Sequence, residues 1–425
     1  MVMTMHRLTA GAGYQYLLKH TASGDCDRSS KAGLTAYYTS SGNPAGRWYG
    51  RGLAALGDGP PAGSQVSEPQ MAYLFGQGKD PTTGAALGRP YPNHTPAADR
   101  IAKQVAALPQ DMAGEARDAA IATITRVELT KRTPTAVAGF DLTFTPTKSV
   151  STLWAVSDEP TQAAVLVAHR VAVEQALGFM EDTAAFTRTG TDGCQQHKVD
   201  GLIAAGFDHW DSRAGDPNLH THLVIANKVQ GPHGAWLSVD YRALHHAVVM
   251  VSEVYDDLLA DELARRLPVQ FGWRHRGPRR TPGFELDGVD DALMTEFSTR
   301  TTQIDEAMTG VLGQFYATHG RGPNRIEVSR LRQQVTRATR PDKHVTPLAD
   351  LMTVWKARAT RRTGKTPTEL TAAVLRLSHT VPQRADHIPA PVIASSIWVV
   401  RVENSVISAS STPSSSKPGV RRGPR

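Results

Sequence analysis

A mixed fold of helices and strands is what the sequence predicts, on three observations. Period-two alternation in VAGFDLTF, residues 137–144, marks a half-buried strand. TQAAVLVAHRVAVEQALGFMED follows, with Val165, Ala168, Ala172, Ala176 and Phe179 at helical spacing, as in an amphipathic helix laid against a sheet. GLIAAGFDHW and NLHTHLVIAN then read as two strands joined by the turn-rich DSRAGDPN, an antiparallel hairpin.

In chain order, residues 1 to about 60 mix short apolar segments with Gly, Ser and Tyr, and GDGPPAGSQ at 57–65 closes them off as a loop. From 70 to 135, turns such as GKDPTTG and GRPYPNHTP alternate with alanine-rich helical stretches, notably DMAGEARDAAIATITRVELTKR. The strand at 137–144 meets Pro146 and passes into an apolar segment beginning at Lys148, which predicts strand, turn and helix start. After the hairpin, 240–265 reads as one long helix and GVDDALMTEFSTRTTQIDEAMTGVLGQFYATHG as two more. Residues 320–377 are helical and strongly basic. Beyond about 380 the Pro-, Ser- and Arg-rich text predicts disorder.

The chain has 425 residues, 40% of them hydrophobic, enough for an ordinary soluble core. Two cysteines, Cys26 and Cys194, exclude a disulfide framework and a cysteine-rich zinc site and fit a reducing cytoplasm. MVMTMHRLTAGAGY lacks a long apolar run after a basic start, and PVIASSIWVV is too short and serine-rich to span a bilayer, so neither a signal peptide nor a membrane partner is expected. A net charge of +7 leans toward a polyanion, since clustered Lys and Arg bind by releasing phosphate counterions.

Residues two apart on a strand share a face, so His220 and His222 present their rings together while Leu219, Thr221 and Leu223 face the other way. The hairpin brings His209 beside them. Three imidazoles leave coordination positions open, as a catalytic metal requires, whereas a structural site uses four protein ligands. Hydrolases, hydratases and oxygenases share that ligand set, so it does not name a reaction.

Two tyrosine groups lie upstream: Tyr14 and Tyr16 in GAGYQYLLKH, and adjacent Tyr37 and Tyr38 in LTAYYTSSGNPAGRWYGRG. A phenol with a pKa of about 10 needs a base or a cation to act as a nucleophile, and otherwise packs as an aromatic. Arg47 and Arg51 beside the glycines suit approach to a phosphate backbone. Asp141, within the strand GFDLTF, either orients a histidine, accepts a tyrosine proton, or is simply an exposed strand position. Lys148 and Arg213 each adjoin a motif turn, as phosphate contacts or as solvated charges.

Taken together, YYTSSGNPAGRWYGRG, GFDLTFTPTKSVSTLWAV and FDHWDSRAGDPNLHTHLVIANKV resemble, in that order, the relaxase domain of TrwC/TraI-type conjugative relaxases, the MobF group of the HUH superfamily, over roughly residues 5–375. The resemblance implies an α+β fold: a central antiparallel sheet flanked by helices, with a helical C-terminal extension. It implies a divalent metal on His209, His220 and His222, magnesium or manganese with zinc as an alternative. It implies nicking and transfer of one DNA strand, single-stranded or in a hairpin, at a transfer origin through a 5′-phosphotyrosine, with relaxosome and coupling proteins as partners in the cytoplasm. Asp141 matches the aspartate that assists the tyrosine and the metal histidines, and Tyr37–Tyr38 matches the second tyrosine cluster. The first cluster departs from the family, being YQY rather than YY, and the spacer between clusters is longer.

The domain reading is a catalytic domain over 1–300, a basic helical extension over 301–378, and a disordered tail over 379–425. Such enzymes usually continue into a helicase, but TRRTGKTPTEL has Ala359 where a P-loop needs glycine, follows no strand, and carries a proline, so a relaxase without its motor is expected. Competing readings are a rolling-circle replication initiator with the same chemistry, a His₃ hydrolase acting on a small molecule, and an inactive DNA-binding module.

Overall fold

The computed structural model describes residues 3–18, 44–92, 95–131, 135–275, 282–341 and 346–375. Tyr37, Tyr38 and the tail expected over 379–425 lie outside these residues. At the centre is a five-stranded antiparallel sheet of β1 (Met3–Thr9), β2 (Arg47–Tyr49), β3 (Val137–Phe144), β6 (Ala204–Asp211) and β7 (Pro217–Ala226). Their order across the sheet is β1-β3-β7-β6-β2, which puts β7, the strand with two histidines, in the middle. Two short strands, β4 (Phe186–Thr189) and β5 (Gln195–Lys198), form a separate ribbon.

One face of the sheet is covered by two long helices. We number the helices of eight residues or more, with one short helix, from α1 (Ala97–Ala106) and α2 (Gly114–Thr130) through α3 (Lys148–Val156), α4 (Glu159–Ala184) and α5 (Tyr241–Arg266). Asp158 caps α4 by accepting the Thr161 amide at 3.2 Å, and Pro160 sits in the first turn, where its missing N–H costs nothing. The five residues expected on the inner face, Val165, Ala168, Ala172, Ala176 and Phe179, are all buried in the main core with Leu219, Leu223 and Trp210 of the sheet. Each large apolar side chain so buried contributes roughly 1.5–3 kcal/mol. By length and composition α4 could cross a membrane, but here it is a core helix packed along α5.

The opposite face is divided. Away from the β6–β7 turn it carries a second core built on Leu8, Tyr14, Leu17, Trp48, Phe75, Phe207 and Val224. Toward the β6–β7 turn the same face carries the histidines.

After α5 come α6 (Asp291–Glu296), α7 (Thr299–His319), α8 (Arg325–Ala338), α9 (Leu348–Thr363) and α10 (Pro367–Leu375). They do not act as one extension. Ile304, Met308 and Val335 form a small cluster of their own between α7 and α8. Leu348, Leu351, Trp355, Ala359, Leu370 and Val374 instead belong to the main core, so α9 and α10 fold as part of the sheet-bearing unit.

Candidate metal centre and active site

The β6–β7 hairpin sets the site. Ser212 N–H donates to the Asp216 carbonyl at 2.8 Å and Gly215 N–H to the Ser212 carbonyl at 2.9 Å, closing a tight turn. Gly215 takes φ 74°, a left-handed value that a side chain would strain. This register places His209 directly opposite His220 and Phe207 opposite His222. Alternation puts all three rings on one face, and their centroids are 5.0 to 5.2 Å apart. One ring nitrogen from each lies within 4.8 Å of the others, a donor set fit for a metal ion.

The outer partners of two rings are fixed by the chain. His220 Nδ1–H donates to its neighbour Asn218's carbonyl at 2.7 Å, and His222 Nδ1–H donates to Asp141 at 2.9 Å. Both leave Nε2 as the ligand atom, the tautomer that metal-binding histidines usually show. Asp141 reaches His222 because β3 pairs with β7, Asp141 facing Val224 and Thr143 facing His222.

Asp141 also accepts a hydrogen bond from the Tyr16 hydroxyl. Tyr16 stands on a helical turn, Gln15–Leu18, that follows β1, and its ring meets His222 edge-on at 6.1 Å. Burial would raise the Asp141 pKa, but the hydrogen bonds it accepts from His222 and then from the Tyr16 hydroxyl hold it below the usual carboxylate value. The Tyr16 phenol moves the other way: burial first, then the charge and hydrogen bond of Asp141, keep it far above its ordinary value. An ionised carboxylate thus sits against a phenol that holds its proton.

Above the histidines opens a cavity of about 750 Å³. Tyr16, Thr143, Asn218 and the three histidines line one side, and Arg213, Arg300, Arg337 and Arg340 another. Among these, only Arg213 was singled out from the sequence as a phosphate contact. The basic character of 320–377 anticipated Arg337 and Arg340 as a region, but which arginines turn inward depends on the packing of α7 on α8.

Three of the expected residues do not line the cavity. Tyr14, two residues from Tyr16, is buried in the second core and does not line the cavity, because neighbouring positions on a tight helical turn point apart. Lys148 donates its ammonium to the Pro217 carbonyl at 2.8 Å, and burial pushes its pKa down to about 8, so it anchors the start of β7 rather than facing the cavity. Arg47 lies on edge strand β2, paired with Gly206, and does not line the cavity. Missed altogether was Asn218. Its place two residues before His220 in NLHTH gives no signal until the strand register is known.

The antiparallel sheet, with two long helices on one face and a histidine triad on the other, has the fold of solved conjugative relaxases. Residues 10–362 match the model of the TrwC relaxase family, and the chain belongs to that family. Among curated relatives, the multifunctional conjugation protein TraI of Escherichia coli is 33% identical over 179 residues, which are 40% of this chain and 10% of TraI. TraI of Escherichia coli strain K12 is 39% identical over 99 residues, 23% of this chain and 5% of that protein. The chain therefore matches only a small part of these much longer proteins. The conjugative relaxase TrwC in complex with oriT DNA, in a copper-bound structure, shares the fold at a TM-score of 0.57 and 24% identity, over 84% of this chain and 98% of TrwC's. TrwC on a 27-mer DNA comprising the recognition hairpin and the cleavage site superposes at a TM-score of 0.54 and 24% identity, over the same 84% and 98%.

Proposed function

We propose that this chain is a metal-dependent relaxase that nicks one DNA strand at a plasmid transfer origin and carries it as a 5′-phosphotyrosine. The observation that carries the reading is the link from the Tyr16 hydroxyl through Asp141 to His222 of the triad. Support comes from the family match and from relatives described as conjugation proteins and as relaxases bound to oriT DNA.

The donor set suits a divalent ion, and His209, His220 and His222 would hold magnesium or manganese, with zinc as the alternative. Such an ion supplies positive charge that polarises a phosphoryl oxygen. The remaining work falls to the chain. Asp141 is placed to take the Tyr16 proton as the phenol oxygen bonds to phosphorus and the bond to the 3′ oxygen breaks. One phosphoester replaces another, so no water or nucleotide is consumed, and the reverse attack by a 3′ hydroxyl rejoins the strand. Arg213, Arg300, Arg337 and Arg340 line the space where the backbone phosphates would lie. Hairpin or single-stranded origin DNA is the substrate this reading expects, with relaxosome and coupling proteins as its cytoplasmic partners.

The test is to incubate the full chain with Mn²⁺ and a labelled single strand from the transfer region flanking its own gene. Label that stays with protein in a denaturing gel, and is lost with His220→Ala, supports the reading. No adduct with any origin strand sinks it.

A further inference from the structure

Behind the histidines, on the helix-covered face of the sheet, runs a buried polar chain that the proposed reaction does not use. Thr221 lies between His220 and His222 on β7, and its side chain points to the opposite face. Its hydroxyl donates to Asp208 Oδ1 at 2.6 Å, across the strand pair. It also lies 2.8 Å from His169 Nε2 of α4. His169 Nδ1 in turn is 2.8 Å from the Tyr255 hydroxyl of α5, and Arg170 closes the other end on Asp208 Oδ2 at 2.8 Å.

The direction of each proton in this chain is determined. Arg170 pairs with Asp208 Oδ2, and the carboxylate oxygens of Asp208 beside it can only accept. Thr221 must therefore donate to it. The remaining lone pair of Thr221 takes a proton from His169 Nε2–H, which leaves His169 Nδ1 to accept from Tyr255. Burial keeps the His169 ring neutral, its pKa pushed down to about 4, consistent with this single tautomer.

Every proposed metal ligand is the chain neighbour of a member of this network: His209 follows Asp208, and His220 and His222 flank Thr221. In a pleated strand, fixing the side chain of one residue fixes the backbone from which both neighbours project to the other face. We propose that Thr221, with Asp208 and His169 behind it, is a positioning residue that holds the three histidines at metal-binding spacing through the sheet, without touching the metal. This rests on the metal reading above.

The experiment measures Mn²⁺ binding to the metal-stripped full chain by calorimetry, alongside thermal unfolding without metal. Thr221→Val keeps the shape and strand preference but removes the hydroxyl. Groups that hydrogen-bond metal ligands directly typically cost 10–100-fold in affinity when removed, and Thr221 lies one step further out, so the dissociation constant should rise by the low end of that range, about tenfold. Thr221→Ser restores the hydroxyl and should bring it back to within about twofold of the parent, on the same reasoning. Tyr255→Phe, at the far end of the chain, gives a smaller rise in the same direction. Val251→Ala, a cavity in the same core, lowers the unfolding temperature but leaves the dissociation constant unchanged. Equal Mn²⁺ affinity in Thr221→Val and the parent overturns this inference alone. Absence of Mn²⁺ binding by the parent chain overturns the metal reading and this inference with it.

Discussion

Arg358 Nη2 lies 3.0 Å from Asp216 Oδ1, tying α9 to the turn that joins the two histidine strands. Asp216 is 1% exposed, and the Thr299 hydroxyl reaches the same oxygen at 3.0 Å. One residue away, the Trp355 indole donates to the Gly215 carbonyl at 2.8 Å. The turn is thus held from outside by helices more than eighty residues further along the chain. Removing one partner of a buried pair leaves an uncompensated charge, so Arg358→Ala should lower unfolding free energy by about 3 kcal/mol. Urea titration of the two proteins checks this, and a loss within experimental error would show that Thr299 and water suffice for Asp216.

The arginines over the cavity give a prediction that separates phosphate contact from structural work. Arg300 donates to the Thr339 carbonyl at 2.7 Å and the Thr336 carbonyl at 2.6 Å, so its substitution would disturb α8 as well as any ligand. Arg337 and Arg340 also line the cavity and make cleaner probes. On single strands each neutralised phosphate adds about 0.7 to the slope of log affinity against log salt. The double variant Arg337→Ala, Arg340→Ala should therefore flatten the slope by about 1.4, read by fluorescence anisotropy across a salt series. An unchanged slope would remove these two residues from the DNA interface.

A pH dependence of stability follows from α5. Burial first, then Glu253, pushes the Asp256 carboxyl up to about 8, and the same two causes push Asp257 up to about 6. Both folded-state values exceed the unfolded one of about 3.9, so between about pH 4 and pH 8 the folded chain holds protons the unfolded chain has lost. The stability these groups contribute is fully present below about pH 4 and is lost as pH rises through the folded values. Asp256→Asn keeps the neutral form at every pH, and should flatten the fall in urea stability between pH 5 and pH 8. A variant that loses stability over that interval as steeply as its parent would place the titrating group elsewhere.

Much of this was legible in the sequence where one local rule decided the outcome. Helical spacing found the inner face of α4, and strand alternation found the shared face of His220 and His222, because each depends only on the period of its own element. Tyr14 and Tyr16 defeated the same approach. They differ by two positions on a short helical turn, and only the second core that receives Tyr14 tells which one reaches Asp141. The place of Lys148 was hidden for a related reason: charge beside a motif suggests a phosphate contact, while the carbonyl of Pro217 that receives its ammonium is sixty-nine residues away in the chain. The arginines of the cavity depend on how α7 and α8 pack, which no single segment specifies.

Asp141 should be distinguishable from Tyr16 by separating metal binding from strand transfer. The ionised carboxylate accepts from both His222 Nδ1–H and the Tyr16 hydroxyl. Asparagine keeps one carbonyl oxygen whose two lone pairs can accept from both, as Asp141 Oδ2 does, but Asp141→Asn removes the negative charge and the capacity to take a proton. Loss of the charge on the histidine's outer acceptor should weaken Mn²⁺ binding about 10-fold, and loss of the proton acceptor should slow adduct formation about 10²-fold or more. Tyr16→Phe keeps the ring against His222 and leaves Asp141 free to orient it, so Mn²⁺ affinity should stay within about threefold of the parent while adduct formation at saturating metal collapses. Calorimetry and a single-turnover adduct assay on the same preparations read the two effects apart. Full adduct formation by Tyr16→Phe, with its loss in the paired Tyr37→Phe, Tyr38→Phe variant, would move the attacking phenol to the second tyrosine cluster and leave Asp141 with the histidine alone.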